Sequence, residues 1–329
     1  MSTPLSASLR TDERAEADRR EFAGIVRAGL SKPGQKELHS KYLYDELGSA
    51  LFDAITFLPE YGLTRADERL LRSYSTEIAG AIDKPMQVIE LGSGNGRKTR
   101  YLLNAIRPTQ KNLIYHPIDV SPEALARCER ELSEVAEVRP LMFSYLDGMA
   151  EAVARRQTGE MLLVLFLGSN IGNFERPCAD AFLRDLRRYF QPGDAFLVGA
   201  DLVKPIEQML LAYDDPSGVT AAFNLNLLGR VNRELEANFN LRDFSHEARY
   251  NEQEQRIEMH LRSLTDQTVE IRGADCTVHL RAGETVWTES SHKYSIGELR
   301  HMAEQSGFSV QRQWVDEEWP FVESLWIAS

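Results

Sequence analysis

Two short stretches of the chain carry residue types whose spacing suits chemistry. "VIELGSGNG", residues 88–96, sets the carboxylate of Glu90 ahead of Gly92, Gly94 and Gly96. Glycines at such a turn permit positive φ and let the backbone approach a ligand closely. "TESSHKYS", residues 288–295, packs Glu289, Ser290, Ser291, His292, Lys293 and Tyr294 into consecutive positions. Glu289 and Ser291 are two apart, so on a strand they share a face, and together they offer an acceptor and a hydroxyl to one polar ring. The same alternation turns His292 away from Glu289, which reads as an outward-facing position.

The glycine turn is not the dinucleotide fingerprint. G-x-G-x-x-G needs a third glycine for close helix–sheet packing, and Arg97 occupies that position here. The G-x-G-x-G run with Glu90 ahead of it resembles the first motif of S-adenosylmethionine (SAM) dependent methyltransferases. Two downstream carboxylates suit that resemblance. Asp119 ends the next strand, where it can accept from ribose hydroxyls, and Asp147, in "FSYLDGM", is expected to end a third strand near an adenine amine. Lys98, beside the turn, is either a solvated helix residue or a partner for the cofactor's carboxylate.

The elements that position these residues follow from periodicity. To about residue 85 the chain reads as mostly helical; in "LTRADERLLRSYSTEIAGAI", Thr64 and Asp67 have capping-box spacing ahead of an apolar stripe. From Met86 onward, apolar strands alternate with helical patterns. Ser121 and Pro122 suit an N-cap and first helical turn, and "MLLVLFLGSNIGNF" reads as a strand buried on both faces. That rhythm predicts an α/β fold with a parallel, Rossmann-like sheet. Residues 204–293 break it with a helix and antiparallel strands, after which a helix at "SIGELRHMAEQSGF" and a closing hairpin return to the sheet.

The 329 residues carry a net charge of −12, which argues against a nucleic-acid partner. The three cysteines, Cys128, Cys178 and Cys276, lack metal or redox spacing, and the histidines recur at no metal-ligand interval, so no metal is expected. No apolar run approaches the roughly 18–20 residues that span a bilayer. The N-terminus lacks a secretory apolar segment, so the expected location is cytoplasmic, with no membrane partner and a monomeric chain.

A wider set of motifs is similar to the histidine Nα-methyltransferases of ergothioneine biosynthesis. "LYDELGSALFDAITFLPEYGLTRAD", "IELGSGNGRKTR", "LFLGSNIGNF", "ADLVKPIEQMLLAYDD", "VTAAFNLNLLGRVNRELEANF", "RIEMHL" and "TESSHKY" carry it, from about residue 40 to the C-terminus. The resemblance implies a SAM-dependent enzyme that converts L-histidine to Nα,Nα,Nα-trimethylhistidine (hercynine) by three methyl transfers. It implies a Rossmann-like SAM-binding domain over residues 67–201 and 294–329. A second, α+β substrate-binding domain would take 13–66 and 202–293, after a flexible start at 1–12. It further implies that Gly92, Lys98, Asp119, Asp147 and Gly148 contact SAM. Tyr61, Asn173 and Tyr213 would hold the amino acid's ammonium and carboxylate. Glu289 and Ser291 would face the imidazole with Ser290 between them, and Phe52 and Met259 would line the side-chain pocket. Asn170 and Gly62 depart from residues found in relatives.

Simpler roles stand beside these. Tyr61 and Tyr213 also suit a core, Asn173 a turn or helix cap, Met259 core filling, and Glu289 a solvated strand. No general base is assigned; Asn173 and Tyr61 are positioning candidates only. The alternatives are the same enzyme type acting on tryptophan or tyrosine, a non-catalytic SAM-binding module, and an NAD-dependent oxidoreductase, disfavoured by Arg97.

Overall fold

The computed structural model describes residues 5–82 and 84–329, with residues 5–15 described by backbone alone. Residues 1–4 of the expected flexible start therefore lie outside the described residues. The chain divides into two compact units. One comprises Met1–Ile55, Leu210–Tyr250 and Ile257–Glu289; the other comprises Thr56–Met209, Asn251–Arg256 and Ser290–Ser329. Residues 56–66, 202–209 and 290–293 thus group with the second unit.

In chain order, the elements begin with α1 (Leu5–Leu30), β1 (Lys36–Glu37), α2 (Glu46–Ile55) and α3 (Leu63–Gly80). The strand-and-helix alternation follows as β2 (Met86–Leu91), α4 (Thr99–Ile106), β3 (Ile114–Asp119), α5 (Pro122–Leu132), β4 (Glu137–Val138) and β5 (Leu141–Met142). It continues with α6 (Tyr145–Val153), β6 (Met161–Phe166), α7 (Arg176–Arg187) and β7 (Ala195–Asp201). After α8 (Ile206–Tyr213) and α9 (Val219–Leu235) come β8 (Phe244–Asn251), β9 (Arg256–Ser263), β10 (Gln267–Ile271), β11 (Cys276–Leu280) and β12 (Thr285–His292). The chain closes with α10 (Ile296–Gln305), β13 (Phe308–Asp316) and β14 (Phe321–Ala328).

The larger unit is built on a mixed sheet in the order β13-β14-β7-β6-β2-β3-β4, with β5 also pairing β3. The β7-β6-β2-β3 pairs are parallel, whereas β14 pairs antiparallel with both β7 and β13. Central strands β2, β6 and β7 are predominantly apolar and nearly every residue in them is buried, including Gln87 and Glu90 of β2 and Asp201 at the end of β7. Behind the sheet an aromatic layer of Phe166, Phe182, Phe190, Phe196, Phe308 and Trp326 fills the core at ring separations near 5–6 Å. Ser121 caps α5, accepting from Ala124 N at 3.2 Å ahead of Pro122, as its spacing indicates. Ser295 and Glu298 form a true capping box on α10.

The expected box at Thr64 and Asp67 is not formed. Gly62 is the N-cap of α3 and makes no side-chain cap bond. Asp67 is instead fully buried and directed toward the loops that follow β2 and β6, which have a stronger use for a carboxylate. Gly62 also has a packing reason, since a Cβ there would stand 2.1 Å from the Trp319 ring.

The other unit carries the four-stranded sheet β1-β12-β9-β8 and the two-stranded β10-β11 ribbon. Lys36–Glu37 pairs parallel with Val286 and Trp287, a two-residue strand too short to leave a pattern in the sequence. Phe22, Val26, Leu30, Leu43, Phe223, Leu227, Val231 and Leu235 are buried on α1, α9 and the segment between α1 and α2.

Candidate functional site

The turn after β2 is shaped by three residues in the left-handed region, Gly92, Gly94 and Gly96, with φ of +72°, +53° and +70°. Its backbone is tied to the end of β3, where Ile118 O accepts from Gly92 N at 2.8 Å and from Ser93 N at 3.3 Å. A Cβ on Gly96 would lie 2.6 Å from Cys128 Sγ, so the turn sits directly on α5. Over Gly94 an added Cβ would meet nothing within 4 Å, which leaves open room above the turn.

Asp119 ends β3, as the sequence indicates, and its carboxylate bonds the backbone of that turn. Oδ2 accepts from Gly94 N at 3.1 Å and Oδ1 from Ser121 N at 2.9 Å. Burial raises its pKa, and the N–H groups of Ser121, Gly94 and Val120 oppose the rise. Beside it, Val120, Met142 and Phe143 are exposed apolar side chains, and Met142 is the register partner of Asp119. This apolar surface at the strand ends was not singled out in the sequence, because two-residue strands carry no alternation to mark it.

Asp147 is displaced from its expected place. It does not end a strand; it is an exposed residue in the first turn of α6, accepting from Ser144 Oγ at 2.6 Å. Helix N-termini favour acids, and Ser144 supplies the cap. Gly148 follows in the same turn and is buried on β3, where a Cβ would stand 2.6 Å from Ile118.

Lys98 immediately precedes α4 and is the residue whose environment the sequence reading left open. Its ammonium bonds the buried Asp67, whose Oδ2 also accepts from Gly168 N at 2.9 Å. Burial would lower its pKa, but Asp67, Glu90 and Glu323 outweigh that and hold it above the usual lysine value. Glu90 itself is fully enclosed, and Oε2 accepts from Tyr115 OH at 2.5 Å and Thr99 Oγ1 at 2.6 Å. Burial nonetheless pushes it to about 7, Thr99, Tyr115 and Lys98 opposing.

The residues proposed for the amino acid divide between the units. Tyr61, Asn173, Ser290 and Ser291 belong to the unit with the large sheet; Phe52, Tyr213, Met259 and Glu289 belong to the other. Tyr61 is buried just ahead of α3, and Asn173 is the exposed last residue of a single 3-10 turn, Asn170–Asn173, whose Ile171 and Gly172 are buried. Asn170 itself donates to Leu91 O at 3.4 Å, tying this turn to the glycine loop. Ser290 Oγ donates to Glu175 Oε1 at 2.9 Å, and Ser291 Oγ accepts from Lys293 Nζ at 2.8 Å. Glu175 also pairs with Arg256, a partner 81 residues away that no local pattern marks.

His292 corrects an expectation. It is fully buried rather than outward-facing, with Nδ1 3.3 Å from Glu254 O and Nε2 3.7 Å from Glu175. Alternation separates the two faces of a strand, but here both faces are covered. Lys293 is buried too, with its Nζ 2.9 Å from Asp201, which also holds Lys204 at 2.6 Å.

In the other unit, Phe52 on α2 packs edge-on against Tyr44, ring centroids 5.5 Å apart, and lies 6.0 Å from Phe223. Tyr213 ends α8, and its carbonyl meets His246 Nε2 at 2.7 Å. Met259 is buried on β9, and its carbonyl accepts from Thr288 Oγ1 at 3.0 Å. Glu289 is 9% exposed on β12, and its carbonyl accepts from Trp287 Nε1 at 2.9 Å. Among the described residues no His/Cys/Asp/Glu cluster is placed to hold a metal, and no helix is long and apolar enough to cross a membrane.

Comparison with known proteins gives a consistent set of likenesses. Residues 20–328 match a protein family described as histidine-specific methyltransferase, SAM-dependent. The chain is 40% identical over 322 residues to a histidine N-alpha-methyltransferase of Mycolicibacterium smegmatis, covering 96% of each chain. It is 41% identical over 304 residues to the protein of the same name from Mycobacterium tuberculosis, covering 91% of this chain and 92% of that one. It is also similar to ergothioneine biosynthesis protein 1 of Schizosaccharomyces pombe, 31% identical over 284 residues, 83% of this chain and 36% of that one.

Proposed function

This chain belongs to the histidine-specific, SAM-dependent methyltransferases, and from that premise we infer that it methylates the α-amine of L-histidine. Three successive transfers give Nα,Nα,Nα-trimethylhistidine, the hercynine of ergothioneine biosynthesis. The observation that carries the reading is the likeness of 40% over 96% of both chains to a histidine N-alpha-methyltransferase.

The residues after β2 and β3 fit SAM. Open room over Gly94, a carboxylate at Asp119 and the apolar surface of Val120, Met142 and Phe143 suit a ribose and an adenine. In this reading Gly92 and Gly148 let the backbone come close, Asp119 accepts from the ribose hydroxyls, Asp147 accepts from the adenine amine, and Lys98 faces the carboxylate. Bound there, SAM supplies an electrophilic methyl on a sulfonium. The chain's own work is then to aim a neutral amine at it, and orientation of that kind is worth up to about 7–11 kcal/mol.

Tyr61, Asn173 and Tyr213 are the proposed holders of the amino acid's backbone groups, with Phe52 and Met259 beside its side chain. An amide such as Asn173 meets both an amine and a carboxylate and tolerates the growing methylated cation. Glu289, Ser290 and Ser291 are the proposed readers of the ring. A carboxylate and a hydroxyl satisfy both imidazole nitrogens, and leaving them unpaired disfavours apolar side chains.

The test is to incubate the protein and SAM with L-histidine, L-tryptophan or L-tyrosine and follow products by mass. Mono-, di- and trimethylated histidine are expected. Trimethylation confined to tryptophan or tyrosine would overturn the assignment of substrate.

A further inference from the structure

Asp67 and Glu323 form a buried acid pair behind the glycine turn that cofactor contacts alone do not explain. Asp67 comes from α3; Glu323 comes from β14, opposite Gly199 of β7. Both are fully buried. Asp67 Oδ2 has its donors in Gly168 N and the Lys98 ammonium. Asp67 Oδ1 and both oxygens of Glu323 find no donor among the described residues. Both carboxyl groups border Gly199 of β7, Glu323 directly and Asp67 through Gly168 N, and they are near enough for Asp67 to act on Glu323 as a side-chain hydrogen-bond partner. A Cβ built on Gly199 would lie 2.8 Å from Glu323 Oε1 and 3.3 Å from Gly168 N, the group that holds Asp67.

Two facing carboxyl groups cut off from water do not both ionise; a proton between them supplies the missing donor. Asp67 already has an ammonium and an N–H stabilising its charge, so the proton belongs on Glu323. The other charged groups around it agree. Burial and Asp67 both raise Glu323 well above the usual carboxylate range, Lys98 opposes, and Glu90 from β2 adds to the rise.

We propose that Glu323 is a positioning residue for cofactor binding: a neutral carboxylic acid that donates to Asp67 Oδ1 and, through Asp67, fixes Lys98 beside the glycine turn. The proposal rests on the reading that Lys98 meets the SAM carboxylate. Its logic is one of charge. With one proton in the pair, Lys98 and Asp67 balance each other and the ammonium keeps donors for a ligand. With both acids ionised, a surplus anion would lie behind the place where the ligand brings its own carboxylate.

The test combines infrared spectroscopy with calorimetry on the full chain. Wild type minus Glu323→Gln should show, at neutral pH and without ligand, a protonated carboxyl C=O band that shifts in D2O. Glu323→Gln, which keeps a neutral donor at the same reach, should bind S-adenosylhomocysteine and SAM within about twofold of wild type, whereas Glu323→Leu should bind about tenfold more weakly. Absence of the acid band overturns the proposal, as does a Gln variant as weak as the Leu variant or a Leu variant as tight as wild type. Should the Leu variant fail to fold, the band and the Gln variant decide by themselves. A wild-type protein that shows the band yet binds neither compound overturns the cofactor reading instead.

Discussion

Replacing Asp119 by Asn tests the cofactor site at the residue whose contacts are most fully defined. The carboxylate accepts from Ser121 N at 2.9 Å and Gly94 N at 3.1 Å, one oxygen each. Asparagine keeps one oxygen and turns an NH2 toward the other N–H, so one of these two bonds is lost. A hydrogen bond to a charged group contributes about 1.5–3 kcal/mol, and a buried donor left unpaired costs about 1–3 kcal/mol. The ligand-free protein should therefore lose about 1–3 kcal/mol, read by urea denaturation followed through tryptophan fluorescence. If Asp119 also accepts from the ribose, ligand affinity falls separately by about 1.5–3 kcal/mol, or roughly 10–150-fold, in calorimetric titration with S-adenosylhomocysteine. The reasoning fails if Asp119→Asn is destabilised as expected yet binds this ligand as tightly as wild type. In that case the carboxylate serves the turn alone.

Three further perturbations probe other parts of the chain. Glu289→Ala should weaken L-histidine binding by about 1–3 kcal/mol while leaving SAM binding nearly intact, and equal histidine affinity in titration would remove Glu289 from the ring. Gly96→Ala combines a φ of +70° with a Cβ 2.6 Å from Cys128 Sγ and 2.8 Å from Leu132. It should cost about 1–3 kcal/mol of stability, and an unchanged denaturation midpoint would contradict the tight seat on α5. Glu90 is raised from an ordinary 4.5 to about 7 in the fold, so its protonated form is favoured there. Its contribution is fully present below pH 4.5 and lost as pH rises through about 7, a change of about 3 kcal/mol. Denaturation at pH 5 and pH 8 should show that Glu90→Gln flattens this decline, and a decline unaltered by the substitution would place its origin elsewhere.

Local signals in the sequence located much of the fold. Three glycines after an apolar strand marked the turn, Asp119 marked the end of β3, and Ser121 with Pro122 marked the start of α5, because each rests on neighbours within a few residues. Failures came where the decisive partner is distant or the element is too short. Asp67 has the spacing of a cap residue, but Lys98 and Gly168, far along the chain, take its carboxylate. The sequence pattern puts Asp147 on a strand because β4 and β5, two residues each, leave no periodicity to separate them from the helix that follows. Alternation alone puts His292 on a wet face, because it reports parity and not what covers each side. Glu323 sits in an apolar run with nothing nearby to reveal that another carboxyl awaits it.

The thiol beneath the glycine turn has a consequence for handling an electrophile. Cys128 lies against Gly96 and is pushed up to about 12, chiefly by burial with Glu90 adding to the rise. At neutral pH very little of it is thiolate, the form that attacks sulfonium methyls and alkylating reagents. Cys128 is thereby kept from self-alkylation, whereas Cys178 on α7 is exposed. Reagents such as maleimides should find Cys178 well before Cys128, giving a chemical handle on the molecule that leaves the turn untouched.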